Sequence, residues 1–145
     1  MNDPYSFYKQ NQIANATQEE LMLQLLQGAL IRVKGAREMW HKGEKVRAME
    51  MRSRAQDIIC YLDETLDFEN GGDMAYELDA LYAFMNREIL RSARERDFEI
   101  LANVEDVLND LYVGFRDAVE EYKKAKTGAA EAAVENAYER IAVGD

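Results

Sequence analysis

The stretch from Ala55 to Met85 limits what this chain can fold into more than any other. It carries two apolar stripes: Ala55, Ile58, Ile59, Leu62 and Leu66, then Met74, Leu78, Leu81, Tyr82 and Met85. Steps of three and four residues on both arms predict two amphipathic helices, because a period near 3.6 keeps those side chains on one face. Between them Asp67 to Gly72 reads as a turn, and the Gly71-Gly72 pair is expected to end the first helix. So short a connection makes the helices antiparallel neighbours. The rest of the chain must then supply what covers their stripes.

Thr17-Gln18-Glu19-Glu20 is a capping box, so a helix is expected from Thr17 to the left-handed stop at Gly43. Gly28 and Gly35 lie inside it, and each costs about 1 kcal/mol of helix propensity relative to alanine. Either a tight helix crossing or a groove that admits a partner's backbone accounts for them. A second helix should run from about Glu44 to Leu66 and a third from Asp73 to about Arg94. Asp97 is placed to cap a fourth, with Glu99 near its positive N-terminal dipole. That helix carries Leu101, Val104, Leu108, Leu111, Phe115, Ala118 and Tyr122, and Thr127-Gly128 is expected to break it. The alanine-rich tail, 127–145, either forms a short fifth helix or stays frayed until something binds. Residues 1–16, with Pro4 and the aromatics Tyr5, Phe7 and Tyr8, sustain no helical period and read as a mobile arm. The expected fold is all-α, an antiparallel up-and-down four-helix bundle in a single domain, with core 17–126.

Charge and chemistry narrow the function. The net charge of −10 argues against nucleic acid and anionic lipid as partners. It is unevenly placed: nine basic and nine acidic residues lie up to Leu66, nine and nineteen after it. No apolar run approaches the roughly 20 residues that span a bilayer, so no membrane insertion is expected. The lone Cys60 and an N-terminus without a signal-peptide pattern fit a cytoplasmic protein. Glu38-x-x-His41 is half of a di-iron signature, but His41 is the single histidine and the site cannot be completed. His41 also invites comparison with histidine phosphotransfer bundles, yet Gly43 ends the helix where their motif continues. The acidic turn fails as a calcium loop, since position five from Asp67 is Gly71 and position twelve is Leu78. No cofactor, metal site or enzyme activity is expected. A binding protein, or a structural helical-bundle adaptor, remains.

Three stretches together resemble the flagellar export chaperone family FliS. The first is Tyr8-x4-Ile13-x-Asn15-Ala16-Thr17-Gln18-Glu19-Glu20-Leu21, and the second is Gly28-Ala29-Leu30. The third runs Ala55-Gln56-Asp57-Ile58-Ile59, Leu62, then Thr65-Leu66-Asp67-Phe68-Glu69-x-Gly71-Gly72 and Leu78-x2-Leu81-Tyr82-x2-Met85. The resemblance covers roughly Tyr5 to Tyr122. The chain departs from it at Thr17-Gln18, usually serine-proline, at Leu26-Gln27, usually tyrosine-aspartate, and in the tail. It implies a cytoplasmic protein that holds the disordered C-terminal segment of flagellin, stops premature polymerisation and assists delivery to an export-gate component. On this likeness Tyr8 and Ile13 cap the client groove, and Ile59, Leu62, Leu66, Leu78, Tyr82 and Met85 supply wall or plain core. Helix 1, with Leu21, Met22, Leu23, Leu25 and Leu26 nearly consecutive, has apolar surface to spare for a partner or for self-association.

Overall fold

The computed structural model describes residues 18–143. The N-terminal arm, Tyr8 and Ile13 within it, and the capping residue Thr17 lie outside the described residues. Among the described residues four helices follow one another: α1 (Gln18–His41), α2 (Lys45–Glu64), α3 (Phe68–Arg94) and α4 (Leu101–Val143), the last entered through a 3-10 turn, Phe98–Ile100. Each packs on its neighbour in sequence and α1 also packs on α4, which closes the bundle. Ile58 lies opposite Gly28 and Met51 opposite Gly35, so α1 and α2 run antiparallel. A Cβ on Gly35 would stand 2.5 Å from the Met51 methyl carbon, the far end of a flexible side chain packed over that glycine.

The core follows the stripes. Leu26, Ala29, Val33 and Ala36 of α1 meet Ala48, Ala55 and Ile59 of α2; Leu78, Tyr82, Met85 and Ile89 of α3 meet Leu101, Val104 and Leu108 of α4. Spacings of three and four on every helix give coiled-coil-like interdigitation.

Two of the three turns use one device. After α1, Gly43 takes φ +81°, its N–H donates to Trp40 O at 3.1 Å, and Glu44 N–H donates to Met39 O at 2.9 Å. After α3, Arg96 takes φ +53°, its N–H donates to Ala93 O at 3.3 Å, and Asp97 N–H donates to Ser92 O at 3.0 Å. Both close the last helical turn through a left-handed residue. A side chain there costs roughly 1–2 kcal/mol, which Arg96 offsets by standing 5.5 Å from the Trp40 ring centre.

The middle turn differs from expectation. α2 ends at Glu64, with the Thr65 hydroxyl donating to Leu62 O at 3.1 Å, so the glycine pair does not end it. Asp67 then caps a single helical turn by accepting from Glu69 and Asn70 N–H, both at 3.1 Å. Gly72 (φ 54°, ψ −137°) kinks the chain out of that turn into the long run of α3. The glycines shape the entry to α3, because the carboxylate cap at Asp67 nucleates a helix before they are reached.

The tail also departs from expectation. Thr127-Gly128 does not break α4, which runs unbroken to Val143, and the described residues hold no separate fifth helix. One threonine and one glycine cost about 1–2 kcal/mol together. The lysines before the pair and the alanines on either side propagate a helix already nucleated, and that outweighs the cost. Among the described residues no helix is long and apolar enough to cross a membrane.

Candidate functional site

At the end of the bundle where α1 starts, α2 stops and α3 enters, the four helices do not close. A cavity of about 620 Å³ opens there. Its walls are Leu21, Met22 and Leu25 of α1, Leu62 and Leu66 at the end of α2, Met74 and Leu78 of α3, and Phe115 of α4. Tyr61, Ala75 and Gly71 complete the lining, and Glu19, Thr65 and Asp67 form a polar rim. The opening follows from local structure. α2 stops at Glu64 and the capped turn carries the chain across the bundle end, so no described apolar side chain is left to fill the space between α1 and α3. Gly71 is needed at this wall, since a Cβ there would stand 2.9 Å from the Ala75 Cβ.

The six described residues singled out from sequence separate by depth. Leu62, Leu66 and Leu78 line the cavity. Ile59, Tyr82 and Met85 are wholly buried beneath it, with no surface to offer in this state. Sequence reasoning marked Leu21, Met22 and Leu25 as surplus apolar surface, and they form the α1 wall; Leu26, beside them, is core. Phe115 was read as one more residue of the α4 stripe. Its level along the helix, opposite the start of α1, puts it in the groove.

Electrostatics give the groove a sign. Asp67 is held below the usual carboxylate range by hydrogen bonds from Asn70, backbone and side chain, and from Glu69 N–H, so it stays ionised at the rim. Just below the rim Asp63 is pushed up to about 6, chiefly by burial and then by the neighbouring Asp79 carboxyl. Burial and Asp63 together raise the Tyr82 phenol to about 12. Asp63 Oδ1 and Tyr82 Oη are buried without hydrogen-bond partners among the described residues. A polar seam thus runs under the α3 wall, a feature that apolar periodicity does not report.

His41 lies at the other end of the bundle, where its Nε2 is paired with the Glu99 carboxylate, and Glu99 also accepts from Arg37 at 3.3 Å. Arg37 is paired with Glu105 as well. Glu99 stands in the first turn of the 3-10 entry to α4, as expected for the helix dipole, and also reaches across to α1. Among the described residues no group of three or more His, Cys, Asp or Glu side chains is placed to hold a metal ion.

The cavity is thus apolar along its walls and acidic at its rim. The family described as flagellar protein FliS matches residues 1–122. The flagellar secretion chaperone FliS of Bacillus subtilis is 28% identical over 129 residues, covering 89% of this chain and 96% of that one. Its counterpart in Salmonella typhimurium is 31% identical over 100 residues, covering 68% and 74%. A solved structure described as a flagellar chaperone from bacteria shares the fold with a TM-score of 0.69, at 20% identity, over 81% of this chain and 95% of that one. The chain belongs to the FliS family, whose members are flagellar secretion chaperones and not enzymes.

Proposed function

We propose that this protein is a cytoplasmic export chaperone that binds the disordered C-terminal segment of flagellin, prevents its premature polymerisation and helps deliver it to the flagellar export apparatus. The observation that carries this reading is the groove itself: a bundle of a secretion-chaperone family leaves about 620 Å³ of leucine-, methionine- and phenylalanine-lined space open at one end. Met74, 61% exposed, stands at its mouth. An amphipathic client helix would lay its apolar face between α1 and α3 and turn basic or neutral flanks to Glu19 and Asp67. A disordered client orders as it binds, at a cost of about 2–5 kcal/mol, which keeps the complex releasable. Leu62, Leu66 and Leu78 are the contact wall in this reading; Ile59, Tyr82 and Met85 hold that wall in place from below. Tyr8 and Ile13 act as the cap that a client displaces.

The test is calorimetry with a C-terminal flagellin peptide. Expected are one-to-one binding, a negative heat-capacity change, and at least ten-fold weaker affinity for Met74→Glu, a surface change that leaves stability within about 0.5 kcal/mol. No binding at high micromolar peptide would sink the reading.

A further inference from the structure

Behind the groove wall two carboxyl groups stand together without a counter-charge. Asp63 follows Leu62 on α2 and Asp79 follows Leu78 on α3, so each acid sits one residue round from a leucine that lines the cavity. The two helices bring these half-buried carboxyls within hydrogen-bonding reach of one another. No described lysine or arginine is paired with either of them. The other titratable groups acting there are Asp57, Cys60 and Glu64 of α2 and Tyr82 of α3, so every charge in the cluster is negative. Tyr82 supplies a separate sign. Its side chain is wholly buried beside the Asp63 charge, and its Oη has no hydrogen-bond partner among the described residues; Asp63 Oδ1 has none either.

In the free chain this arrangement is unfavourable, since like charges repel and ionised carboxylates only accept hydrogen bonds. What the cluster lacks is one positive charge with several N–H donors. We propose that it is a socket for a basic side chain of the client, which fixes where along α2 and α3 the flagellin segment comes to rest; this builds on the flagellin-binding reading above. A lysine or arginine supplies both charge and donors, and charge-assisted hydrogen bonds are the stronger kind. Two further features suit that occupant. Tyr76, three residues before Asp79 and on the same side of α3, is 63% exposed and leans on Phe68 with ring centres 4.8 Å apart. Open aromatic faces beside carboxylates add attraction for a cation. The apolar stem of a basic side chain also lies well on Leu62 and Leu78 while its head reaches the acids. A leucine wall alone lets an amphipathic helix slip by a turn; one ion pair sets its register.

Calorimetry of the full chain with a flagellin C-terminal peptide tests this as a double-mutant cycle. Asp63→Asn combined with Asp79→Asn keeps the shape of both side chains and removes their charge. It should weaken binding about ten-fold at pH 7, whereas Asp110→Asn, exposed on α4, should leave affinity unchanged. Among peptides with each lysine or arginine replaced singly by glutamine, one should lose as much against the wild type and nothing more against the double variant. Lowering the pH from 7 to 5 protonates Asp63, so wild-type affinity should fall more steeply than that of the double variant. Equal or tighter binding by the double variant, losses that add in full, or parallel pH profiles would overturn the proposal and leave flagellin binding standing. No binding by either protein would overturn both readings.

Discussion

The two ends of the bundle are made by the same helices and finished in opposite ways. At one end two left-handed stops, Gly43 and Arg96, turn the chain sharply. Trp40 lies on Phe98 with ring centres 4.3 Å apart and planes 7° from parallel. Lys45 and Arg96 stand over the same indole at 5.1 and 5.5 Å. Arg37, His41, Glu99 and Glu105 tie α1 to α4 around it. At the other end one carboxylate-capped helical turn crosses the bundle and the leucines of three helices face an opening. The proposed client-binding role draws on both. The latched end supplies cohesion, so the open end can keep apolar surface unpaired without the helices collapsing onto it.

Substitutions at the two ends should therefore separate stability from binding. The largest effect is expected for Phe98→Ala. Removing a buried ring from the latch should cost about 3–5 kcal/mol in urea unfolding, while the fraction still folded binds flagellin peptide with unchanged affinity. A drop in affinity per folded molecule would mean that the two ends are coupled. Gly72→Ala comes next, at roughly 1–3 kcal/mol, because an alanine must adopt φ 54° and ψ −137° or reshape the entry to α3. Here stability and affinity should fall together, since Met74 and Leu78 follow that kink.

Asp63→Asn is the smallest and depends on pH. In the folded chain Asp63 holds its proton up to about pH 6, against 3.8 for the unperturbed side chain. The folded state thus binds the extra proton between those values, so stability falls as pH rises through the window. An amide at this position does not titrate. The variant should gain up to about 1 kcal/mol above pH 7, after solvent screening is allowed for, and nothing near pH 4. A gain independent of pH would assign the effect to packing.

Much of the fold was legible because helices announce themselves by period and punctuation. The stop at Gly43 and the cap at Asp97 are local features, and the structure holds them where local physics puts them. Most of each stripe is also in place, but Met74, Leu81 and Ala118 are exposed, and Val119 is buried instead of Ala118. The misplaced boundaries share one cause. Gly71-Gly72 and Thr127-Gly128 were weighed as breakers alone, whereas Asp67 nucleates a helix ahead of the first pair and the long run from Leu101 carries through the second. Sorting the site residues needed a quantity that periodicity lacks, position along the bundle axis. Ile59 and Leu62 are one helical turn apart on one stripe, yet the first is roofed by α1 and α3 and the second faces the opening. The Asp63–Asp79–Tyr82 seam was illegible because its perturbation comes chiefly from burial and then from a carboxylate on the facing helix.

The difference between the ends is tested most directly by following backbone amide resonances while a flagellin C-terminal peptide is added. Shifts should concentrate on Leu21, Met22, Leu25, Leu66, Met74, Leu78 and Phe115 and leave Trp40, Phe98 and Glu99 in place. Shifts centred on the Trp40–Phe98 end, or none at saturating peptide, would contradict it.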